Sequence, residues 1–466
     1  MRENKLAIVS NRLPIGIKNN TITPSDGGLV SAINGAHLAA DTQWIGHLGC
    51  ENHSDKKVLQ DFNLQNSKSI QYLDVNIPSD LYDQYYNGYC NQVLWPSFHE
   101  RVDLIHFYPA LWEAYSATNI HFAHYINEQV DEKTSLWIQD YHLLLLPKYI
   151  KQLSRSRKVS FFLHIPWPSL EIAKQVPFLE EIAKSLSYAD MIAFHTKDYE
   201  KNFLDFWYYI SEDFDQEELS AIEHKLYSFP IGISPQDFIQ DYSQISSNDS
   251  QLQTIVGVDR FDYSKGIDIK LKLIEHLLET HPEYREKIKL RQLLIPTRQD
   301  IPAYQDYREK VLKLADRINN QFKTNDWTPI ELIEGRMTKQ ELIKFYQSGD
   351  LCLVSSIKDG MNLVSMEYLA AQSPNNPGQL FLSDQTGASK FLGSQITFNP
   401  FKIKKEVKAL VQSLQTNKKT RQKRWRDAMK WINKNTSNFW ASNNLNNFLV
   451  GGGKYFVGPR STTSTS

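Results

Sequence analysis

Two cations stand five residues apart in the segment VGVDRFDYSKG, at Arg260 and Lys265. An apolar run precedes them and an amphipathic helix pattern follows, so both should lie in a loop that opens a helix. The N-terminus of a helix attracts anions through its free N–H groups and its dipole. Two added positive charges therefore indicate a diphosphate site, although a capped helix start without a ligand has the same strand–loop–helix pattern.

A second strand–loop–helix segment, SIKDGMNLVSME, carries carboxylates at Asp359 and Glu367. A carboxylate accepts hydrogen bonds from two hydroxyl groups at once, which suits it to a sugar or ribose diol. Two earlier apolar runs end at Asp140, within WIQDYH, and at His164, within FFLHIPWP. Polar residues at the carboxyl ends of strands favour a ligand cleft. Structural explanations stay open: a helix cap for Asp140 and for the Asp359 segment, and a buried core histidine for His164.

The N-terminal segment adds a further candidate. SNRLP follows the first apolar run and contains Arg12, and the adjacent Gly27 and Gly28 come soon after. Such glycines let a ligand approach the backbone closely, and they also form ordinary turns. The motifs GxxxxGK[ST], HExxH and GxSxG are absent, and the 13 histidines show no metal-binding spacing. We therefore expect no metal site, and we expect His121 and His124 to be structural.

The elements that must position these residues are short buried strands and amphipathic helices. Continuous apolar runs are typical of strands covered on both faces, and they occur at 6–9, 136–138, 159–163, 191–194, 226–229, 254–258, 289–295, 351–354 and 379–382. Helices are predicted at 267–279, at 341–346 behind a capping box that starts at Thr338, and at 421–434. This alternation predicts an α/β fold with parallel sheets.

A polar stretch at 240–252, QDYSQISSNDSQL, has the composition of a linker. About five of the predicted strands precede it and about four follow it. We therefore predict two Rossmann-like, doubly wound domains at 1–240 and 253–420, facing each other across a cleft. Helices at 421–450 would pack back toward the N-terminal domain, and the Gly- and Ser/Thr-rich stretch 451–466 would be a disordered tail.

The composition of the 466-residue chain excludes several classes of protein. Hydrophobic residues make up 41%, and 52 Lys and Arg balance 53 Asp and Glu to a net charge of −1. These values suit a globular protein and give no bulk attraction to nucleic acid or membrane, although a local basic pocket remains possible. Three widely spaced cysteines, without a signal peptide or an apolar span long enough for a membrane helix, predict a cytoplasmic protein.

Taken together, the segments resemble one family. SNRLP, GGL, YCNQVLWPSFH, WIQDYH, FFLHIPWP, VDRFDYSKG and KDGMNLVSMEYLAAQ occur in the order found in the trehalose-6-phosphate synthases, which form glycosyltransferase family 20. The likeness runs from about residue 6 to about residue 445. It implies a GT-B fold and a retaining transfer of glucose from a nucleotide sugar, usually UDP-glucose, to glucose 6-phosphate, without a cofactor. It is also compatible with a homo-oligomer.

The resemblance implies roles residue by residue. The donor would be bound by Gly28, His164, Arg260, Lys265, Asp359, Gly360, Met361, Asn362, Leu363, Val364 and Glu367. The acceptor and its phosphate would be bound by Arg12, Tyr86, Trp95, Asp140 and Arg298. Asp140, His164, Arg260, Lys265 and Asp359 would act in catalysis. The family has no obvious protein nucleophile, and the leaving phosphate is thought to take the acceptor's proton on the same face of the sugar.

The chain departs from the family pattern at four places. His47 stands where an aromatic residue is usual near the acceptor, Gln139 replaces a His, and Lys358 replaces an Arg. The stretch 383–391 lacks an acidic residue that many relatives carry. Two alternatives therefore stay open: a different phosphorylated acceptor, as in glucosylglycerol-phosphate synthases or pseudo-glycosyltransferases, or a non-catalytic sugar-phosphate sensor.

Overall fold

The computed structural model describes residues 5–18, 21–24, 42–49, 53–66, 70–211, 216–239 and 252–450. Its strands form two parallel sheets and one antiparallel hairpin. In chain order the strands are β1 (Leu6–Arg12), β2 (Ile15–Lys18), β3 (Thr21–Pro24), β4 (Gln43–His47), β5 (Gln71–Asp74), β6 (Ser135–Gln139), β7 (Val159–Phe162), β8 (Met191–Phe194), β9 (Leu226–Ser228), β10 (Gln253–Arg260), β11 (Ile288–Ile295), β12 (Ile330–Glu334), β13 (Leu351–Val354), β14 (Gln379–Ser383) and β15 (Ile396–Phe398).

Helices alternate with these strands through most of the described chain. They are α1 (His53–Gln65), α2 (Ser79–Asp83), α3 (Trp95–Phe98), α4 (Pro109–Gln129), α5 (Leu146–Leu153), α6 (Leu170–Ala173), α7 (Leu179–Leu186), α8 (Lys197–Ile210), α9 (Gln216–Glu223), α10 (Ile267–Thr280), α11 (Pro302–Phe322), α12 (Lys339–Gln347), α13 (Leu363–Ala371), α14 (Ile403–Leu414), α15 (Lys418–Lys434) and α16 (Ser437–Val450). Between α2 and α3 the chain forms a π-helix, Gln84–Leu94.

Both parallel sheets reverse their strand order at a central strand. The first sheet has the order β5-β4-β1-β6-β7-β8-β9, and the second has the order β12-β11-β10-β13-β14-β15. Since the chain moves outward in both directions from β1 and from β10, a crevice opens beside each of these strands. Arg12 ends β1 and Arg260 ends β10, so each crevice begins next to a cation.

Alternate residues along the central strands pack into two different apolar clusters, so both faces of each sheet are buried. On β1, Ala7 and Val9 belong to one apolar cluster, and Leu6 and Ile8 belong to a second. The same separation occurs on β10, where Ile255 belongs to the first cluster and Val256 to the second. This two-sided burial explains why the central strands are continuous apolar runs.

The predicted α/β architecture with two doubly wound, parallel-sheet domains is confirmed. Each of the nine apolar runs lies largely or wholly within a strand, and the capping box at Thr338 opens α12. The sequence analysis missed β4, β5, β12 and β15, which lie at or beside sheet edges, and the β2–β3 hairpin. These segments carry polar residues, as in QYLD and IELIE, because edge strands are covered less completely.

The C-terminal helices α15 and α16 contact elements from both halves of the chain. Trp425 on α15 donates its indole N–H to the Leu369 carbonyl of α13. Trp440 on α16 lies 5.2 Å from the Trp137 ring of β6, between ring centroids. The domain limits chosen from the sequence stay predictions. Gly28, most of the 240–252 stretch and the 451–466 tail lie outside the described residues.

Among the helices in the described part of the chain, none is long and apolar enough to cross a membrane.

Candidate active site

The two crevices open into one cavity of about 450 Å³. Residues from both halves of the chain line it, and 14 of the predicted site residues are among them: Tyr86, Trp95, Asp140, His164, Arg260, Lys265, Arg298, Asp359, Gly360, Met361, Asn362, Leu363, Val364 and Glu367. We call the lining residues up to 231 the N-terminal wall and those from 258 onward the C-terminal wall. The roles of the individual residues remain predictions.

The C-terminal wall contains an ion pair between Lys265 and Asp359. The Lys265 Nζ lies 2.6 Å from Asp359 Oδ2, and both side chains are largely buried. Burial opposes ionisation of Asp359, but the Lys265 ammonium and the Asn362 amide outweigh it and lower its pKa to about 2. Asp359 is therefore a carboxylate at neutral pH. Its negative charge partly neutralises the positive charge that Lys265 presents to the cavity.

The loop that carries Asp359 is shaped by its own hydrogen bonds. The Asn362 Nδ2 donates to Asp359 Oδ2 at 3.2 Å, and the Met361 N–H donates to Oδ1 at 3.3 Å. Asn362 adopts a left-handed backbone with φ 72° and caps α13 by accepting the Ser365 N–H. Leu363 and Val364, the first residues of α13, line the cavity, and the free N–H groups of a helix start can donate to an anion or a sugar hydroxyl.

Glu367 lies one turn farther along α13. The Tyr346 hydroxyl donates to Glu367 Oε2 at 2.8 Å, and burial raises the pKa of Glu367 against this hydrogen bond. One carboxylate oxygen is thus fixed by Tyr346, while Glu367 itself lines the cavity. This geometry suits a diol that donates two hydroxyl protons.

The N-terminal wall is built largely from aromatic side chains. Tyr86 lies on the π-helix and Trp95 immediately follows it. These residues are nine positions apart, which places them on opposite sides of an α-helix with about 3.6 residues per turn. The wider π turn, seen in the Trp95 N–H bond to the Cys90 carbonyl, brings both to the cavity.

Arg12 contacts this wall from behind and is absent from the cavity lining. Its guanidinium carbon lies 5.0 Å from the Tyr86 ring centroid and 5.6 Å from that of Tyr82, and its Nε donates to the Tyr82 hydroxyl at 2.8 Å. The Tyr86 ring in turn stacks on His142, with centroids 5.7 Å apart. A row of rings therefore leads from Arg12 into the cavity.

Arg298 comes from the C-terminal wall and reaches the aromatic side. Its guanidinium carbon lies 4.1 Å from the Trp95 ring centroid, and its Nη2 donates to the Tyr141 hydroxyl at 3.0 Å. Its other terminal nitrogen donates to the Tyr304 hydroxyl. Arg298 adopts a left-handed backbone with φ 47°, which costs about 1–3 kcal/mol and is tolerated where surrounding contacts enforce it.

Asp140 and His164 adjoin each other at the ends of β6 and β7. Asp140 has φ 71° and accepts the His164 N–H at 3.2 Å. Burial raises the pKa of Asp140 to about 6 despite this bond. Burial lowers the pKa of His164 well below 6.5, so its ring is neutral, and its Nε2 lies 3.0 Å from Gln139 Oε1.

Several lining residues were missed from the sequence. They are His99, Tyr141, His142, Ile165, His195, Ile231, Val258, Asp259 and Ile295. His195 follows β8 directly, so the rule that predicted His164 from a strand end could have found it. His142 and Tyr141 lie inside the WIQDYH segment that was already singled out. His99 likewise ends the YCNQVLWPSFH segment that carried the resemblance, but it was not assigned to the site.

The four departures from the family pattern occupy distinct places. His47 does not line the cavity; its ring lies 4.6 Å from that of Tyr82 in a tilted arrangement, and the Tyr82 ring stacks on Tyr86, 5.4 Å away. Gln139 holds His164, as described above. Lys358 pairs with Glu100 across the two walls at 3.0 Å. In the stretch 383–391, the Gly387 N–H donates to the Asp359 carbonyl.

Within the described residues, no group of three or more His, Cys, Asp and Glu side chains is arranged to hold a metal ion. His121 bonds to the Asn76 carbonyl instead.

Comparison with known proteins identifies the family of this chain. The model of glycosyltransferase family 20 matches residues 3–449. The chain belongs to glycosyltransferase family 20. An alpha,alpha-trehalose-phosphate synthase [UDP-forming] of Schizosaccharomyces pombe is 37% identical to it over 462 residues, which cover 94% of this chain and 88% of that protein.

Solved structures of this family share the whole architecture and confirm the GT-B fold. A trehalose-phosphate synthase of Burkholderia xenovorans in complex with glucose-6-phosphate is 28% identical, with a TM-score of 0.82 over 96% of this chain and 100% of that chain. An E. coli family member bound with UDP-2-fluoro glucose is 29% identical, with a TM-score of 0.82 over 96% of this chain and 99% of that chain.

Proposed function

We propose that the chain is a retaining glucosyltransferase that moves glucose from UDP-glucose to glucose 6-phosphate, giving trehalose 6-phosphate and UDP. The observation that carries the proposal is a single cavity lined by three cations. Lys265 lies just before α10, Arg298 lies against the Trp95 ring, and Arg260 at the end of β10 lies over the same ring. Two phosphorylated substrates need several positive charges in one cavity. The names of the relatives and the ligands of the two solved structures support the same reaction.

On the donor side, Arg260 and Lys265 hold the diphosphate, and the amides of residues 360–364 together with Asp359 hold glucose hydroxyls. Glu367 holds the ribose diol with the carboxylate oxygen that Tyr346 leaves free. His164 contacts the transferred glucose as a neutral imidazole. Gly28, for which the resemblance implies backbone contact with the donor, keeps that role as part of the proposal.

On the acceptor side, Arg298 and Arg12 attract the phosphate of glucose 6-phosphate, and Tyr86 and Trp95 pack against the sugar ring. Arg12 acts from behind the Tyr86 ring. Asp140, with its pKa raised to about 6, is ionised at neutral pH and accepts a hydrogen bond at the acceptor's reacting end. These contacts hold two reactants together in one orientation, which lowers the entropic cost of their encounter.

In the chemical step, the bond between the donor's anomeric carbon and the diphosphate oxygen breaks, and the diphosphate keeps the electron pair. The acceptor hydroxyl forms a new bond on the same face, and its proton passes to the leaving phosphate oxygen. Arg260, Lys265 and the N-terminus of α10 stabilise the negative charge that develops on the diphosphate. In this proposal the two cations provide the charge stabilisation, and no cofactor takes part. The wide spacing of the cysteines supports a cytoplasmic location for the protein.

The decisive experiment is a donor-by-acceptor activity matrix with product identification. UDP-, ADP- and GDP-glucose are each combined with glucose 6-phosphate, glycerol 3-phosphate and free glucose, and nucleotide release is measured. We expect the highest turnover with UDP-glucose and glucose 6-phosphate, and a product with the mass of trehalose 6-phosphate. Lack of turnover with every donor would contradict the proposal. A preference for glycerol 3-phosphate would replace the acceptor and leave the donor half intact.

A further inference from the structure

Behind the cavity, one buried carboxylate contacts groups from both walls. Asp262 lies in the VDRFDYSKG loop, two residues after Arg260, and its side chain has no exposed surface. It is absent from the cavity lining, so it would not touch either substrate.

The two oxygens of Asp262 have different partners. Oδ1 accepts the Ser264 N–H of its own loop at 2.9 Å and the Trp95 indole N–H of the N-terminal wall at 3.3 Å. Oδ2 lies 3.5 Å from Arg260 Nη2 and 3.5 Å from Arg298 Nη1. Oδ1 therefore links the two walls through hydrogen bonds, and Oδ2 faces the two guanidinium groups.

The guanidinium groups would repel each other without this carboxylate. Both lie over the same Trp95 ring, with Arg298 at 4.1 Å and Arg260 at 5.2 Å from its centroid. Like charges this close repel each other, and solvent screens the repulsion only in part, since the Arg298 side chain is 5% exposed and that of Arg260 is 40% exposed. Although burial disfavours an ionised carboxyl, Arg260, Arg298 and Lys265 keep the pKa of Asp262 below its usual value. Both arginines thus share one charged carboxylate, Asp262.

We propose that Asp262 is a positioning residue that fixes the distance between the two phosphate-bearing substrates by holding Arg260, Arg298 and Trp95 in one arrangement. The inference rests on the proposed function, in which Arg260 binds the donor diphosphate and Arg298 binds the acceptor phosphate. A displacement of reacting groups by about 1 Å can cost about 10²-fold in rate. The effect of Asp262 should therefore appear in kcat.

The variant Asp262→Asn separates the two oxygens' roles. The amide oxygen can still accept from Ser264 and Trp95, while the amide NH₂ replaces the oxygen that faces the arginines. Removal of one negative charge leaves the cavity more positive, so each anion alone should bind as well as before or more tightly. We expect kcat to fall about 100-fold, while the separate Kd values of UDP and glucose 6-phosphate stay within about threefold of wild type or become smaller.

Asp268→Asn is the matched control. Asp268 is also a largely buried, ion-paired carboxylate in this segment, but it pairs with Lys310 at 2.8 Å and does not line the cavity. Its kcat should stay within about twofold of wild type.

Trp95→Phe provides a second measurement, because it keeps an aromatic ring under the arginines and removes the indole N–H together with its five-membered ring. If Asp262 and Trp95 act as one unit, the double variant should lose little more kcat than Asp262→Asn alone. A fall in kcat with Asp262→Asn smaller than threefold would overturn the inference. So would a rise in both Kd values in step with the fall in kcat, and so would multiplicative effects in the double variant. Absence of wild-type turnover would instead contradict the proposed function and, with it, this inference.

Discussion

The two walls of the cavity hold their cations in different ways. In the C-terminal wall, Lys265 pairs with Asp359 at 2.6 Å and Arg260 lies 3.5 Å from Asp262. Behind the N-terminal wall, Arg12 is held by the ring faces of Tyr82 and Tyr86 and by the Tyr82 hydroxyl. No carboxylate among the described residues lies within ion-pair distance of Arg12.

This difference predicts different costs of losing each cation. A partly buried carboxylate without its cation is strongly destabilised, so a change on the C-terminal side should affect both turnover and folding. Removing a guanidinium from aromatic rings leaves no charge uncompensated and costs only about 0.5–1 kcal/mol of cation–π contact, so a change at Arg12 should affect mainly ligand binding. Arg298 lies between these cases, since it contacts both Asp262 and the Trp95 ring.

The largest effect is expected from Lys265→Ala. Loss of the ammonium removes charge stabilisation of the departing diphosphate, and kcat should fall about 10²- to 10³-fold. The free energy of unfolding should also fall, by about 2 kcal/mol, because Asp359 loses its partner in a largely buried place. Steady-state kinetics and urea unfolding measure the two effects.

A double variant separates the two effects of this change. Adding Asp359→Asn to Lys265→Ala removes the unpaired charge, so part of the stability should return while turnover stays low. Lys272→Ala is the control, because Lys272 lies on α10 and pairs with Asp268 in a more exposed ion pair. Normal stability in the single variant Lys265→Ala would show that the ion pair is not a folding contact, and the comparison between the walls would fail.

The next largest effect should follow a change where the walls touch. A Cβ on Gly360 would lie 2.0 Å from the His164 carbonyl oxygen, far inside van der Waals contact. Gly360→Ala should therefore push the Asp359 loop away from the N-terminal wall and lower kcat about 10²-fold. A control is Gly393→Ala, where the added Cβ meets no atom within 4 Å. Equal activity in the two variants would contradict the importance of this contact.

The sequence predicted where the loops lie better than it predicted how their side chains meet. Strand runs and strand-end polar residues placed Asp140, His164, Arg260 and Asp359 at one edge, because parallel strands bring their carboxyl ends together. The contacts of Asp262 with Trp95 could not be predicted, since they join residues 167 positions apart and depend on rotamers.

The π-helix limited the prediction further. Apolar periodicity distinguishes helices from strands, but it does not report a change of turn width. Tyr86 and Trp95 were therefore assigned to the site only through the family resemblance, and the contact that places Arg12 behind Tyr86 was missed. His99, which follows α3, ends a segment that carried the resemblance but was not itself assigned to the site.

A smaller effect, confined to the acceptor, is expected from Arg12→Ala. The guanidinium lies outside the cavity lining and should attract the acceptor phosphate by its charge without direct contact, so the KM for glucose 6-phosphate should rise about 3- to 10-fold. The KM for UDP-glucose and the melting temperature should stay near wild type, because Asn11 still donates to the Tyr82 hydroxyl at 3.1 Å. Arg308→Ala, an exposed arginine paired with Glu334, is the control. A lower melting temperature for Arg12→Ala would remove the contrast with Lys265.

The smallest effect concerns pH and tests whether the N-terminal wall also contains a carboxylate whose ionisation is opposed by burial. Burial raises the pKa of Asp140 to about 6, above its ordinary value of 3.8. Below pH 6 the carboxyl is protonated and no longer accepts from the acceptor's hydroxyl. The kcat/KM of the wild type should therefore decline below about pH 6, approaching tenfold per pH unit.

The same shift has a consequence for stability, with the opposite dependence on pH. A raised pKa in the folded state stabilises the protein below the unfolded value, and this stability is lost as the pH rises through about 6. Asp140→Asn should therefore raise the melting temperature relative to wild type at pH 7.5 and less so at pH 5, while removing the acidic limb of the activity profile. If the variant were equally stabilised at both pH values, the gain would come from packing or hydrogen bonding, and Asp140 would carry no buried charge comparable with those of the C-terminal wall.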